Sequence, residues 1–169
     1  MAVGKSAIGY QLAQQLGAPF VDTDAVIVAS HGSIAGIFAG RGERAFREIE
    51  ARTVASAVEQ AAGTATVISL GGGAVLDSGT QQLLGSCTVV YLECDAETVA
   101  SRIGRNSGRP LLAGDAMGQW VSMFAARKPV YERLADLVLD VREGSIAEIG
   151  RRLEAALREF AAAKQEVEK

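Results

Sequence analysis

Apolar residues along this chain alternate between a helical spacing and short unbroken runs. Ile8, Leu12 and Leu16 recur every fourth residue, and Gly17 then stops the helix they predict. Residues 19–22 read as a short strand. Ser33 is placed to cap a short helix carrying Ile34, Ile37 and Phe38. A long helix is predicted over 42–61, with Phe46, Ile49, Thr53, Val54, Ala57 and Val58 on one face. Residues 66–70 form an apolar strand that ends in Gly71, Gly72 and Gly73, and residues 88–92 form another. Asp95 suits the N-cap of a helix over 96–103. The rhythm fails over 104–118, where glycines and the arginines Arg105 and Arg109 predominate, so this stretch reads as a mobile excursion. A helix with Trp120, Val121 and Phe124 follows, interrupted near Pro129. Residues 137–141 give the last strand. Ser145 and Glu148 form a capping box opening a terminal helix with Ile149, Leu153, Ala156, Leu157 and Phe160. The tail 161–169 is expected to fray.

Strands alternating with helices imply an α/β fold: a parallel sheet with helices on both faces. In such sheets ligands collect beyond the carboxyl ends of the strands. The segments just after 19–22 and 66–70 are therefore the places to look for chemistry.

Composition changes this picture little. At 169 residues the chain has room for one domain of ordinary size, read as 1–160. Apolar residues make up 49% and charged residues 22%, which allows a real core. The net charge is −3 and the pI about 5.3, against the basic excess of a general nucleic-acid binder. There is no membrane-length apolar run and no secretory h-region. Cys87 and Cys94 lie on either side of one strand with an odd separation, so a bridge is not expected, and reduced thiols suit a cytoplasmic protein.

Several segments carry candidate chemistry. Gly4-Lys5-Ser6, placed just before a helix, matches the end of a P-loop. Backbone N–H groups there bind phosphate oxygens, Lys5 would reach the β- and γ-phosphates, and Ser6 would bind Mg²⁺. The tripeptide also arises by chance. Asp22 and Asp24 point the same way if their strand continues; one could hold a metal and the other a substrate hydroxyl, or the pair is a turn or helix cap. Arg47 lies near an apolar stripe with Glu43 and Glu50 at helical spacing, which reads as a carboxylate clamp or as a surface ion-pair ladder. Three glycines after a strand let a ligand approach the backbone closely. Arg109 in the Gly-rich excursion could ride a lid onto a transferring phosphoryl group, and Arg127 beside Pro129 could complete an anion pocket.

In this order and spacing the motifs resemble the shikimate kinase family. They are Gly4-Lys5-Ser6, Asp22-Thr23-Asp24, Ile37-Phe38, Phe46-Arg47-Glu48-Ile49-Glu50, Ser69-Leu70-Gly71-Gly72-Gly73-Ala74, Arg109-Pro110-Leu111-Leu112 and Arg127-Lys128-Pro129-Val130-Tyr131. The likeness covers most of the chain, from Met1 to Leu157. It implies a P-loop kinase fold with a lid at about 104–118. It also implies transfer of the ATP γ-phosphoryl group to the 3-hydroxyl of shikimate, with Mg²⁺, in a cytoplasmic monomer that binds neither nucleic acid nor membrane.

Residue by residue, Gly4, Lys5 and Ser6 resemble the family's phosphate and metal residues, and Asp22 its metal-side carboxylate. Asp24 resembles the group that binds substrate hydroxyls and accepts the proton. Arg47 and Arg127 resemble the pair that holds the substrate carboxylate, Gly71, Gly72 and Gly73 line the same pocket, and Phe38 and Phe46 form its apolar wall. Arg109 resembles the lid arginine and Arg102 one set against adenine. Family members carry a central first strand and a leading P-loop glycine before the tripeptide, and this chain begins without them. The alternatives are another small P-loop kinase, such as one for gluconate, or a non-catalytic remnant that binds shikimate.

Overall fold

Local signals set most element boundaries in the computed structural model, which describes residues 3–105 and 116–167. The elements are α1 (Lys5–Leu16), β1 (Phe20–Asp22), α2 (Thr23–His31), α3 (Ile34–Gln60), β2 (Val67–Ser69), a 3-10 turn (Ala74–Leu76), α4 (Ser78–Leu84), β3 (Val90–Glu93), α5 (Ala96–Arg105), α6 (Ala116–Leu134), β4 (Leu137–Asp140) and α7 (Ile146–Val167). They fall into two compact units interleaved in sequence. One comprises Lys5–Ala74 and Gly144–Lys169, the other Met1–Gly4 and Val75–Glu143. The span 1–160, read as one domain from sequence, contributes to both.

In the unit holding α1, β1 pairs parallel with β2, Phe20 opposite Val67 and Asp22 opposite Ser69. Helix α1 lies tightly on β1: a Cβ on Gly9 would sit 2.9 Å from Cε2 of Phe20. Helix α7 packs on α1 through Gly150, where a Cβ would be 2.8 Å from Cγ of Gln11. Ile8, Leu12, Ala13, Ile149 and Leu153 are buried in this unit. The Ser145–Glu148 capping box forms as expected, with the Ser145 N–H donating to Glu148 Oε2 at 2.7 Å and the Glu148 N–H to Ser145 Oγ at 3.3 Å. Helix α7 stays helical to Val167, beyond the point where the sequence reading ends the domain.

Ser33 caps α3 as expected, accepting from the Gly36 N–H. The short and long helices read from sequence are joined into one bent helix at Gly42, whose φ of 80° is accessible to glycine at little cost. Helix α2 was not foreseen. Of the two readings of Asp22 and Asp24, the structure takes the helix cap for Asp22: β1 ends there, and its side chain caps α2 by accepting from the Ala25 N–H at 3.1 Å. The helix is held because Ile27 is fully buried in a cluster with Ile37, Phe46 and Ile49.

In the other unit β3 pairs parallel with β4, from Val90 opposite Leu137 to Glu93 opposite Asp140. Asp95 caps α5 through the Thr98 N–H at 2.8 Å. Helix α6 runs unbroken through Pro129, where an interruption was expected. Proline forfeits one backbone donor there. Flanking contacts hold the helix: Tyr131 stacks on Tyr91 at 5.5 Å, and Lys128 lies 3.5 Å from both Glu93 and Glu132. Cys87 and Cys94 are not joined in a disulfide. Among the described residues, no single helix is long and apolar enough to cross a membrane.

Candidate active site

The carboxyl ends of β1 and β2 and the first turns of α1 and α2 bring most of the expected residues together. Gly4 precedes α1 with a φ of 90°, Lys5 opens the helix and Ser6 lies exposed in its first turn. Burial pushes the Lys5 ammonium pKa below its ordinary value, and the charges of Asp24 and Asp22 partly offset that. Burial likewise raises Asp24, helped by the Asp22 charge and opposed by Lys5 and Arg47. Lys5, Asp22, Asp24 and Arg47 therefore form one electrostatic cluster at the strand ends.

This coupling has a signed consequence. Following the Asp24 carboxyl by ¹³C NMR should give a midpoint above the ordinary 3.8. Lys5→Met removes a cation that favours the carboxylate, so the midpoint should rise further. Asp22→Asn removes a neighbouring anion, so it should fall. Equal midpoints in all three proteins would mean the cluster is not coupled.

Arg47 lies on α3 between two acids spaced to meet it. Its Nη1 is 2.6 Å from Glu50 Oε2 and its Nη2 is 3.2 Å from Glu43 Oε1. Glu50 is 3% exposed, so the Arg47–Glu50 half of the pairing is buried, while Glu43 stays exposed. Burial works against the guanidinium, yet the hydrogen bonds and charges of Glu50 and then Glu43 outweigh it and hold the Arg47 pKa above its ordinary value. The guanidinium also lies 5.2 Å from the Phe46 ring centre, and Phe46 packs on Phe38 at 4.7 Å.

The glycines after β2 fit around these charges. A Cβ on Gly71 would fall 2.5 Å from Glu50 Oε1 and 2.8 Å from Asp24 Oδ1, and one on Gly73 would collide with the Arg47 guanidinium. Gly71 and Gly73 thus pack closely against charged side-chain ends that any larger residue would have to displace. Gly73→Ala should force Arg47 off Glu50 and, with the carboxylate-holding role the resemblance implies for Arg47, weaken shikimate binding by about tenfold, the worth of a hydrogen bond. Calorimetric titration with shikimate checks it; wild-type affinity would mean the guanidinium moves aside freely.

Thr23 was not singled out from sequence. It is fully buried, and its hydroxyl donates to the Ser69 carbonyl and accepts from the Gly71 N–H, both at 3.2 Å. Its position between two carboxylates was the available signal.

Three expected residues remain. Arg127 is on α6 in the other unit, its Nη2 3.8 Å from the Met123 sulfur. Arg102 falls within α5 of that unit. Arg109, with most of the expected lid, lies outside the described residues.

A parallel α/β framework that gathers a lysine at a helix start, paired aspartates and a clamped arginine at its strand ends has the layout of a small-molecule phosphotransferase. The shikimate kinase family model matches residues 1–158. A shikimate kinase of Streptomyces coelicolor is 44% identical over 140 residues, covering 82% of this chain and 80% of that protein. One of Mycobacterium avium is 47% identical over 139 residues, covering 81% and 77%. The fold matches a shikimate kinase from Acinetobacter baumannii in complex with shikimate, with a TM-score of 0.84 and 28% identity over 94% of this chain and 89% of that one. A gluconokinase from Sinorhizobium meliloti gives 0.64 at 18% identity, over 100% and 93%, a likeness of fold alone. The chain belongs to the shikimate kinase family. It is an ATP-dependent kinase of the shikimate pathway to aromatic amino acids, with ATP as co-substrate and Mg²⁺ as metal.

Proposed function

We propose that this chain transfers the γ-phosphoryl group of ATP to the 3-hydroxyl of shikimate, with its residues in the following roles. Arg47 and Arg127 hold the substrate carboxylate, against a wall of Phe38 and Phe46. Gly71, Gly72 and Gly73 line the pocket, and Asp24 binds substrate hydroxyls. Gly4 and Lys5 bind the phosphates, Arg109 meets them from the lid, and Arg102 contacts adenine. In the transfer the bond from the γ-phosphorus to its bridging oxygen breaks. The substrate oxygen bonds to phosphorus, and its proton passes to Asp24. A carboxylate whose pKa burial has raised is a better acceptor than an ordinary aspartate.

The Ser6 hydroxyl and the Asp22 carboxylate are hard oxygen donors, the kind Mg²⁺ takes alongside phosphate oxygens and water. One Asp22 oxygen caps α2, which leaves the other for a metal or its water. When bound, Mg²⁺ supplies charge neutralisation on the phosphates.

The observation that carries this reading is Arg47, buttressed by a buried glutamate beside Asp24 and the glycine run. A planar cationic fork, an acceptor carboxylate and close backbone suit a small cyclic acid with several hydroxyls. Its partners are small molecules, and we read it as a cytoplasmic monomer that binds neither nucleic acid nor membrane, in keeping with its acidic pI. A coupled assay offering shikimate and gluconate separately tests the proposal. Turnover of shikimate alone is expected; turnover of gluconate without shikimate would reverse it.

A further inference from the structure

We propose that Thr23 is a positioning residue that sets the spacing between the Asp24 carboxylate and the glycine backbone opposite it, and so governs affinity for the acceptor substrate. The inference rests on the reading of the site given above. Its basis is one buried hydroxyl with both of its bonding directions fixed. A hydroxyl has a single proton, and the Ser69 carbonyl can only accept, so that proton goes to Ser69. The Gly71 N–H can only donate, so it occupies a hydroxyl lone pair. One side chain therefore ties the first turn of α2 to the point where β2 gives way to glycine.

The consequence is local and directional. Thr23 lies between Asp22, which caps α2, and Asp24, whose carboxylate packs on Gly71. Gly71 also abuts Glu50, the acid that holds Arg47. Moving the Gly71 peptide would change the acceptor end of the pocket and the support of its arginine together. The backbone of α1 that carries Lys5 is not part of this link. Valine has the shape of threonine without the hydroxyl, so it would leave the Gly71 N–H and the Ser69 carbonyl without this partner in a buried place. Serine keeps the hydroxyl and loses only the methyl group.

The test combines steady-state kinetics on the wild type, Thr23→Val and Thr23→Ser with hydrogen exchange at the Gly71 amide. Thr23→Val should raise the KM for shikimate about tenfold, the worth of a hydrogen bond in a buried site, and leave the KM for ATP unchanged. The Gly71 amide should be protected in the wild type and in Thr23→Ser, and exchange faster in Thr23→Val. Thr23→Ser should restore wild-type kinetics. A wild-type KM for shikimate in Thr23→Val overturns the role, as does an equal rise in both KM values. Equal loss in Thr23→Ser would assign the effect to packing of the methyl group and also overturn it. Should Thr23→Val not fold, the wild-type exchange decides: a Gly71 amide as fast as an open chain overturns the proposal. A wild type that turns over no shikimate sinks the reading of the site itself; one that does, matched by Thr23→Val, sinks only the role of Thr23.

Discussion

Replacing Arg47 by methionine should raise the KM for shikimate about a hundredfold and destabilise the fold by about 3 kcal/mol. The two effects have different origins. The loss of binding follows from removing the cationic fork proposed to face the substrate carboxylate. The loss of stability follows from Glu50, which is 3% exposed and 2.6 Å from the guanidinium. A buried carboxylate deprived of that counter-ion is far more costly than the intact pair is favourable. The second change Glu50→Gln separates them. Arg47→Met with Glu50→Gln should recover most of the stability, because no buried charge then needs a counter-ion, and should recover none of the binding. Urea unfolding and calorimetric titration with shikimate read the two quantities independently. If the double variant regains affinity, the site does not hold the substrate through Arg47. If the single variant is as stable as the wild type, Glu50 is not held by Arg47 in solution.

The pairing of Arg47 with Glu43 and Glu50 was legible because helical spacing converts sequence separation directly into proximity. The caps at Ser33, Asp95 and Ser145 were legible for the same reason, since a cap is a contact between near neighbours. Helix α2 was not. Its run Ala25-Val26-Ile27-Val28-Ala29 is rich in β-branched residues, which argue against a helix. Ile27 overrides that preference by packing on Ile37, Phe46 and Ile49, partners that only the folded chain supplies. Pro129 shows the converse: a local breaker kept within α6 by contacts from Lys128 and Tyr131.

The candidate site divides along the same line. The residue types were readable, because each motif is short. Their mutual support was not. Nothing local says that Gly71 lies against Asp24 and Glu50, or that Gly73 lies against Arg47. These contacts join segments separated by more than twenty residues, as does the link from Thr23 to Gly71. The packing accounts for small residues at 71 and 73 beside the acids and the arginine.

With the phosphate-binding role proposed for Lys5, Lys5→Met should lower kcat about a thousandfold, the scale of removing one charge-stabilising donor from a preorganised site, with little change in the KM for shikimate. Its effect on folding should run the other way. Burial lowers the Lys5 pKa despite the attraction of Asp24 and Asp22, so holding this ammonium charged costs folding free energy near neutral pH. Methionine removes that cost, and the variant should be at least as stable as the wild type at pH 7. The pH dependence checks the sign. A lysine with a lowered folded pKa binds fewer protons when folded than unfolded. Its contribution to stability therefore improves as pH rises from the folded pKa towards the ordinary 10.5, and Lys5→Met should lack that improvement. Urea unfolding of both proteins at pH 7 and in the alkaline range measures it. A variant that loses turnover and stability together would make Lys5 a structural cation. One that loses turnover while holding or gaining stability would mark a charge kept in an unfavourable place for the sake of the phosphates it faces.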